Sequence, residues 1–209
     1  VGIVPIAVSL SDIPHYISEF AIIASGTPQE HMARPKTIEE VPDSWYEGMD
    51  LIAKLYSMGA FAKDVNATTE AVTSQMFKDK KAAMQIDGSW FANGIPAANM
   101  ETTIVMPFPT YAEDADKTAF IGGVSMGFYL SRKAWDDPQL LAHLTNADSA
   151  TKIGGYQFTG KLLESSYEMI NNANYMLSPF QDSMTKEARE AWLLGCISSV
   201  ADGSMTAKE

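Results

Sequence analysis

The sequence predicts an α/β chain in which a short β-sheet is flanked by helices, and three observations carry that prediction. Short apolar, β-branched runs alternate with longer stretches whose apolar residues recur at helical spacing. The opening run, residues 3–9 (IVPIAVS), passes at once into a helix entry, Ser11-Asp12-Ile13-Pro14. Residues 77–90, FKDKKAAMQIDGSW, repeat the same strand-to-helix turn in mid-chain.

In order, residues 3–9 form a strand with Pro5 at an edge or strand start. Ser11 or Asp12 then caps a helix with Pro14 in its first turn, and Tyr16, Phe20, Ile23 and Ala24 lead to a stop at Gly26. Residues 27–42, with Pro28, Pro35 and Pro42, are expected to be loop. Asp43 is expected to cap the next helix, where Trp45, Met49, Ile52 and Tyr56 share one face until Gly59. A further helix starts at Asn66 or Thr68, turns Val72, Met76 and Phe77 inward, and leads through the charged turn Asp79 to Lys81 into a strand at 82–86. Gly88 permits the sharp turn after that strand, and Ser89 is expected to cap a short helix starting at Trp90.

Residues 103–106 predict a strand that Pro107-Phe108-Pro109 must end. Residues 110–119 are an acidic hairpin tip, because Glu113, Asp114 and Asp116 lack the glycine and closing glutamate of an EF-hand loop. Residues 120–131 (FIGGVSMGFYLS) join Gly122-Gly123 to an apolar run without either phosphate-binding glycine motif. The pair therefore serves close backbone approach, to a ligand or to a neighbouring strand. Helices follow from Asp137-Pro138 through Leu140, Leu141 and Leu144, with a further piece ending at Gly154-Gly155. Two more are expected: residues 161–171 with Leu162, Leu163, Tyr167 and Ile170, and residues 185–200 with Ala188, Trp192, Leu193 and a buried Cys196. Asp202-Gly203 stops the last of these, and residues 204–206 begin another.

A chain of 209 residues with 46% hydrophobic content can bury one substantial core or two small ones. Its net charge of −11 opposes nucleic acid and anionic membrane surfaces as partners and leaves a neutral small molecule compatible. With Cys196 as the sole cysteine there is no internal disulfide, thiolate metal site or Cys-x-x-Cys pair. His15, His31 and His143 sit in unrelated contexts without metal-ligand spacing. No nucleophile stands in a hydrolase motif, so catalysis rests only on carboxylates such as Asp136-Asp137. No run is long and apolar enough to span a bilayer. The chain opens on a strand without a start methionine or signal-type segment, the pattern of a fragment or processed product.

Binding has more support. Asp12, His15 and Tyr16 follow the first strand, and Asp87 and Trp90 follow the central one. Each corner offers an aromatic beside a polar group, which is what a sugar needs: a flat ring for its apolar face and partners for its hydroxyls. The plainer alternative is that Trp90 packs on the helix behind it.

Residues 77–131, as FKDKKAAMQIDGSW, IVMPFP and FIGGVSMGFYLS, resemble the C-terminal half of extracellular solute-binding proteins of ABC sugar importers, relatives of maltose-binding protein. The opening GIVPIAVSLSDIPHY and closing ADGSMTAKE resemble that family too. The resemblance implies the C-terminal lobe of a type II periplasmic-binding-protein-like fold. Residues 1–118 and a truncated 161–209 would belong to that lobe, and 119–160 to an N-terminal lobe otherwise missing. It implies that Trp90 stacks on sugar, with Tyr16 at the other corner and His15 and Asp12 beside it as hydroxyl partners. Trp192 falls near a sugar-contacting aromatic of the family, and Gly122-Gly123 where the chain crosses between lobes. The implied function is capture of a carbohydrate for membrane permease subunits, without catalysis, metal or cofactor. The implied location is extracellular, as a membrane-anchored lipoprotein, or periplasmic; a carbohydrate-active enzyme fragment is the alternative. An orphaned 119–160 segment would fold back or drive self-association.

Overall fold

The structure, a computed structural model, describes residues 2–122, 132–136 and 160–209. Gly123, the helix expected after Asp137-Pro138, the Gly154-Gly155 stop and the apolar segments 124–130 and 140–144 lie outside the described residues.

β1 (Val4–Ala7) and β2 (Ala82–Gln85) pair in parallel, with Val4 opposite Ala82, Ile6 opposite Met84 and Ala7 opposite Gln85. A parallel pair needs a long crossover, and three of the four helices between these strands supply it: α1 (Pro14–Ala24), α3 (Asp43–Ser57) and α4 (Glu70–Lys78), with the short α2 (Pro28–His31) between α1 and α3. The core forms where they meet. Val8, Leu10, Ile17 and Ala21 pack against Met49, Ile52, Phe61 and Val65, and Ile197, Val200 and Ala201 close that cluster from the chain's last helix. A second small sheet pairs β3 (Phe120–Ile121) with β4 (Met176–Leu177), again in parallel, over Ile23, Ala119 and Leu177.

α1 lies between both clusters, so it is apolar on more than one face. Its approach to α3 is close because Gly48 has no side chain: a Cβ there would stand 2.6 Å from the Ile22 Cα. Glu19, one turn beyond Tyr16, is buried with the helix. Its carboxyl accepts a hydrogen bond from the Phe180 backbone, while Oε1 has no partner. Burial, with the nearby Asp182 charge, pushes its pKa up to about 8.

Several sequence expectations are corrected. Ser11 and Asp12 do not cap α1, whose N-cap is Ile13 without a side-chain bond. Asp12 turns to α4 instead, accepting from the Glu70 N–H at 2.9 and 3.1 Å, where the N-cap Thr69 supplies no side-chain bond. α4 thus starts at Glu70, with Thr69 as its N-cap, rather than at Asn66 or Thr68. Val72 is exposed, and Thr73 and Ser74 are buried in its place, their hydroxyls satisfied by the Glu70 carbonyl (3.0 Å) and carboxylate (2.8 Å).

Residues 27–42 are not all loop: Thr27 and Glu30 form a reciprocal capping box at the start of α2, and Ile38–Glu40 make a 3-10 turn. Asp43 is the first residue of α3, not its cap. Residues 103–106 form no strand; the Val105 N–H bonds to the Ser165 hydroxyl (2.8 Å) rather than to a neighbouring strand. Ser89 opens a 3-10 helix, Ser89–Gly94, instead of capping a helix at Trp90. Thr185 caps its helix through the Ala188 N–H (3.2 Å), but the run expected over 185–200 divides into Lys186–Ala191, a π-helical turn Trp192–Cys196, and Ile197–Asp202. Cys196 is only half-buried. Gly203 ends the run with φ +81°, and residues 204–206 are bends and irregular chain rather than a helix. Among the described residues no helix is long and apolar enough to cross a membrane.

Gly48→Val should cost about 1–3 kcal/mol in denaturant unfolding, since the new atoms meet backbone. Gly2→Ala, where a Cβ meets nothing within 4 Å, should stay within about 0.5 kcal/mol. Glu19 makes stability pH-dependent in a stated direction. Its folded pKa of about 8 lies above the ordinary 4.5, so its contribution is complete below about 4.5 and is lost as pH rises through 8. Glu19→Gln, which needs no proton, should gain on the native protein by about 1.4 kcal/mol per pH unit across that window. Parallel unfolding curves of the two proteins at pH 5 and pH 8 would refute this.

Candidate functional site

The register of β1 and β2 brings their carboxyl ends side by side, and each strand runs into an aromatic corner. From β1 the chain enters α1, whose first turn carries His15 and Tyr16; from β2 it turns at Gly88 into the 3-10 helix that carries Trp90. The Tyr16 and Trp90 rings lie 6.3 Å apart between centroids at 58°, and the His15 ring meets Tyr16 edge-on at 4.7 Å. Trp90 is 57% exposed, so it is not packed away on the helix behind it.

Gly88 is needed for close approach, not for unusual backbone angles, since its φ is −89°. A Cβ at this position would stand 2.2–2.4 Å from three atoms of the indole six-membered ring. The indole therefore lies across the Gly88 backbone. Asp87 holds the same corner from its other side, accepting from the Gly88 N–H (2.7 Å), Gln85 Nε2 (3.1 Å) and the Trp90 side chain. Burial raises the Asp87 pKa against those bonds.

The Tyr16 hydroxyl is pushed up to about 12, first by burial and then by the charges of Asp87, Glu70 and Glu19. It remains a neutral donor and acceptor. Burial lowers His15 to about 4, and its buried Nδ1 has no partner, so the ring is a neutral imidazole at physiological pH. Asp12 lies beside this group with its carboxylate already engaged by Ser9 Oγ and the Glu70 N–H.

The other sequence candidates lie elsewhere. Trp192 packs on Phe180 at 5.3 Å, in a cluster where Trp45 (4.3 Å) and His31 (5.7 Å) meet the same ring, and it rests on the main core. Gly122 makes its close approach to β4, donating to the Leu177 carbonyl (2.9 Å) where a Cβ would stand 2.7 Å from Met176 Cγ. Of the two roles open to the glycine pair, Gly122 therefore serves the neighbouring strand. Sequence reasoning overlooked Glu70, whose N–H holds Asp12 and whose charge acts on the Tyr16 hydroxyl, long-range relations that no local pattern announces. A separate open depression of about 490 Å³ lies between Thr27, Gln29, Asp114, Lys117, Asn174 and Tyr175, away from the aromatic pair. Among the described residues no three His, Cys, Asp or Glu side chains are grouped to hold a metal ion.

No protein-family model matches the chain, and no curated protein matches it by sequence. Among solved structures it matches a chitin oligosaccharide binding protein at a TM-score of 0.70 and 16% identity, covering 99% of this chain and 57% of that one. The chain spans somewhat more than half the length of that protein. At such identity the likeness is one of fold: the helix-flanked α/β architecture described above is shared with part of a sugar-binding protein.

Proposed function

We propose that this chain supplies one wall of a carbohydrate-binding cleft and that its parent protein captures an oligosaccharide for an ABC importer. One observation carries the reading: two aromatic corners 74 residues apart in sequence converge as Tyr16 and Trp90 at the carboxyl ends of paired parallel strands, with the Trp90 indole open to solvent. Ligands of open α/β sheets bind at those strand ends, and exposed aromatic faces stack on the apolar face of a sugar ring. The fold shared with a chitin oligosaccharide binding protein supports the same ligand class.

In this reading a second lobe closes over the sugar by a hinge and the loaded protein hands it to permease subunits. Residues 1–118 and 161–209 belong to the lobe that carries the aromatic wall. The protein works outside the cytoplasm, as a surface lipoprotein or in a periplasm. Trp90 stacks, while the Tyr16 hydroxyl and the His15 and Asp87 side chains meet hydroxyl groups.

The test is a tryptophan-fluorescence titration of the complete protein against a panel of saccharides. Trp90→Ala should weaken binding by more than about tenfold, since truncating an anchoring aromatic costs about 2 kcal/mol or more. Because the indole is largely exposed, the same change should alter unfolding stability by less than about 1 kcal/mol. Gly88→Ala, which displaces the indole without removing it, should weaken the same sugars and shift the emission maximum. Tight binding of an amino acid or a metal ion instead of any saccharide, or a Trp90→Ala effect below about threefold, would sink the assignment.

A further inference from the structure

The chain that leaves β4 is fastened to α1 and α2 by buried polar groups. Just beyond Leu177 the 3-10 turn Phe180–Ser183 begins, and the Phe180 ring seats Trp45 of α3, His31 of α2 and Trp192. Two titratable side chains hold the backbone of the same stretch. Glu19 of α1, 3% exposed, accepts from Phe180, and His31, 2% exposed, sets its Nε2 at 3.3 Å from the Ser178 carbonyl.

This seam is incompletely satisfied. Among the described residues seven buried side-chain polar atoms have no partner, and four of them lie here: Glu19 Oε1, His31 Nδ1, Gln181 Oε1 and Ser44 Oγ, the last beside Trp45. Each costs free energy for as long as the segment stays docked, which makes opening easier here than at the apolar contacts of the main core.

Glu19 suits the docked arrangement only in its neutral form. One carboxyl oxygen takes the Phe180 bond and the other has no donor, whereas a buried carboxylate needs several donors or a cation. The ion pairs among the described residues leave it out. From the turn, Asp182 faces it with a negative charge that opposes ionisation. From α2 comes His31, held below its ordinary 6.5 first by burial and further by the Arg34 charge, against its bond to Ser178. The residues that α3 and Ile197–Asp202 bury are uncharged, as are Phe120 and Ile121 of β3.

We propose that Glu19 is a proton-operated latch: protonated, it docks residues 178–183 on α1 and α2, and on losing its proton it releases that segment, and with it the anchorage of β4, while the main core stays folded. The sign follows from where the carboxyl is solvated. Released, Glu19 titrates at its ordinary 4.5; docked, its pKa is about 8. Docking is therefore fully favoured below 4.5, and the opening equilibrium rises by about tenfold per pH unit until it levels near 8.

Residue-resolved hydrogen exchange of the chain, corrected for the intrinsic effect of pH on exchange, tests the latch. The informative amides are Phe180, Asp182, which bonds the Pro179 carbonyl within the turn, and Gly122, which bonds Leu177 of β4. Their opening should rise by about tenfold per pH unit between about pH 5 and about pH 7, with amides of α3 and of the β1–β2 pair unmoved. Glu19→Gln, which cannot ionise, should hold the opening flat over the same range. A carboxyl-carbon NMR titration of Glu19 in the native protein, which needs no variant, should give a midpoint near 8. A flat native profile, a Glu19→Gln profile that rises like the native one, a Glu19 midpoint near 4.5, or all amides opening in one global step overturns the latch.

Discussion

The parallel pairing of Val4–Ala7 with Ala82–Gln85 is the constraint on which the rest of this molecule depends. The two segments are far apart in the chain, and only their ladder sets where the residues that follow them meet. Because the strands run the same way, both leave the sheet at the same end, and the α1 and 3-10 corners are delivered side by side. An antiparallel pair would send Tyr16 and Trp90 to opposite ends. The register is also specific, since a slip by one residue would turn buried Ala7 and Ala82 outward.

Polar bonds hold the first corner together with the apolar core. Ser9 is buried, and its hydroxyl lies within reach of the Asp12 carboxylate and the Thr68 carbonyl, to which Ser11 also donates at 2.8 Å. Asp12 then closes the circuit on the Glu70 N–H. This network ties the exit of β1 to the entry of α4, the helix that feeds β2. Asp12 gives its carboxylate largely to this task.

α1 joins the two halves of the core. One side packs on α3 through the gap left at Gly48, and Ile23 reaches the small sheet of β3 and β4. Burying a helix on several faces leaves little room for charge, which is why Glu19 is driven toward its protonated form. The Phe180 backbone that bonds Glu19 belongs to an aromatic cluster with Trp45, Trp192 and His31. Trp192 belongs to that packing, although by resemblance it fell near a sugar-contacting aromatic.

The sequence by itself determined what depends on neighbours along the chain. Alternating strand and helix patterns announced β1, α1, α3, α4 and β2, and Gly59 and Gly203, at φ +74° and +81°, stop helices where only glycine is at ease. Aromatic corners after β1 and β2 were legible as well, because a strand, a turn residue and a ring fall within a few positions of one another. Only the tertiary structure decided which of these features meet. Residues 103–106 have the composition of a strand but find no ladder, while Met176–Leu177, too short to be recognised, becomes one because Phe120–Ile121 is packed beside it. Asp12 caps a helix 58 residues away rather than its own, and Tyr16 and Trp90 become one surface instead of two isolated rings. Strand pairing and through-space capping are long-range interactions whose free energy is realised only when the partner arrives, so no local pattern can record them.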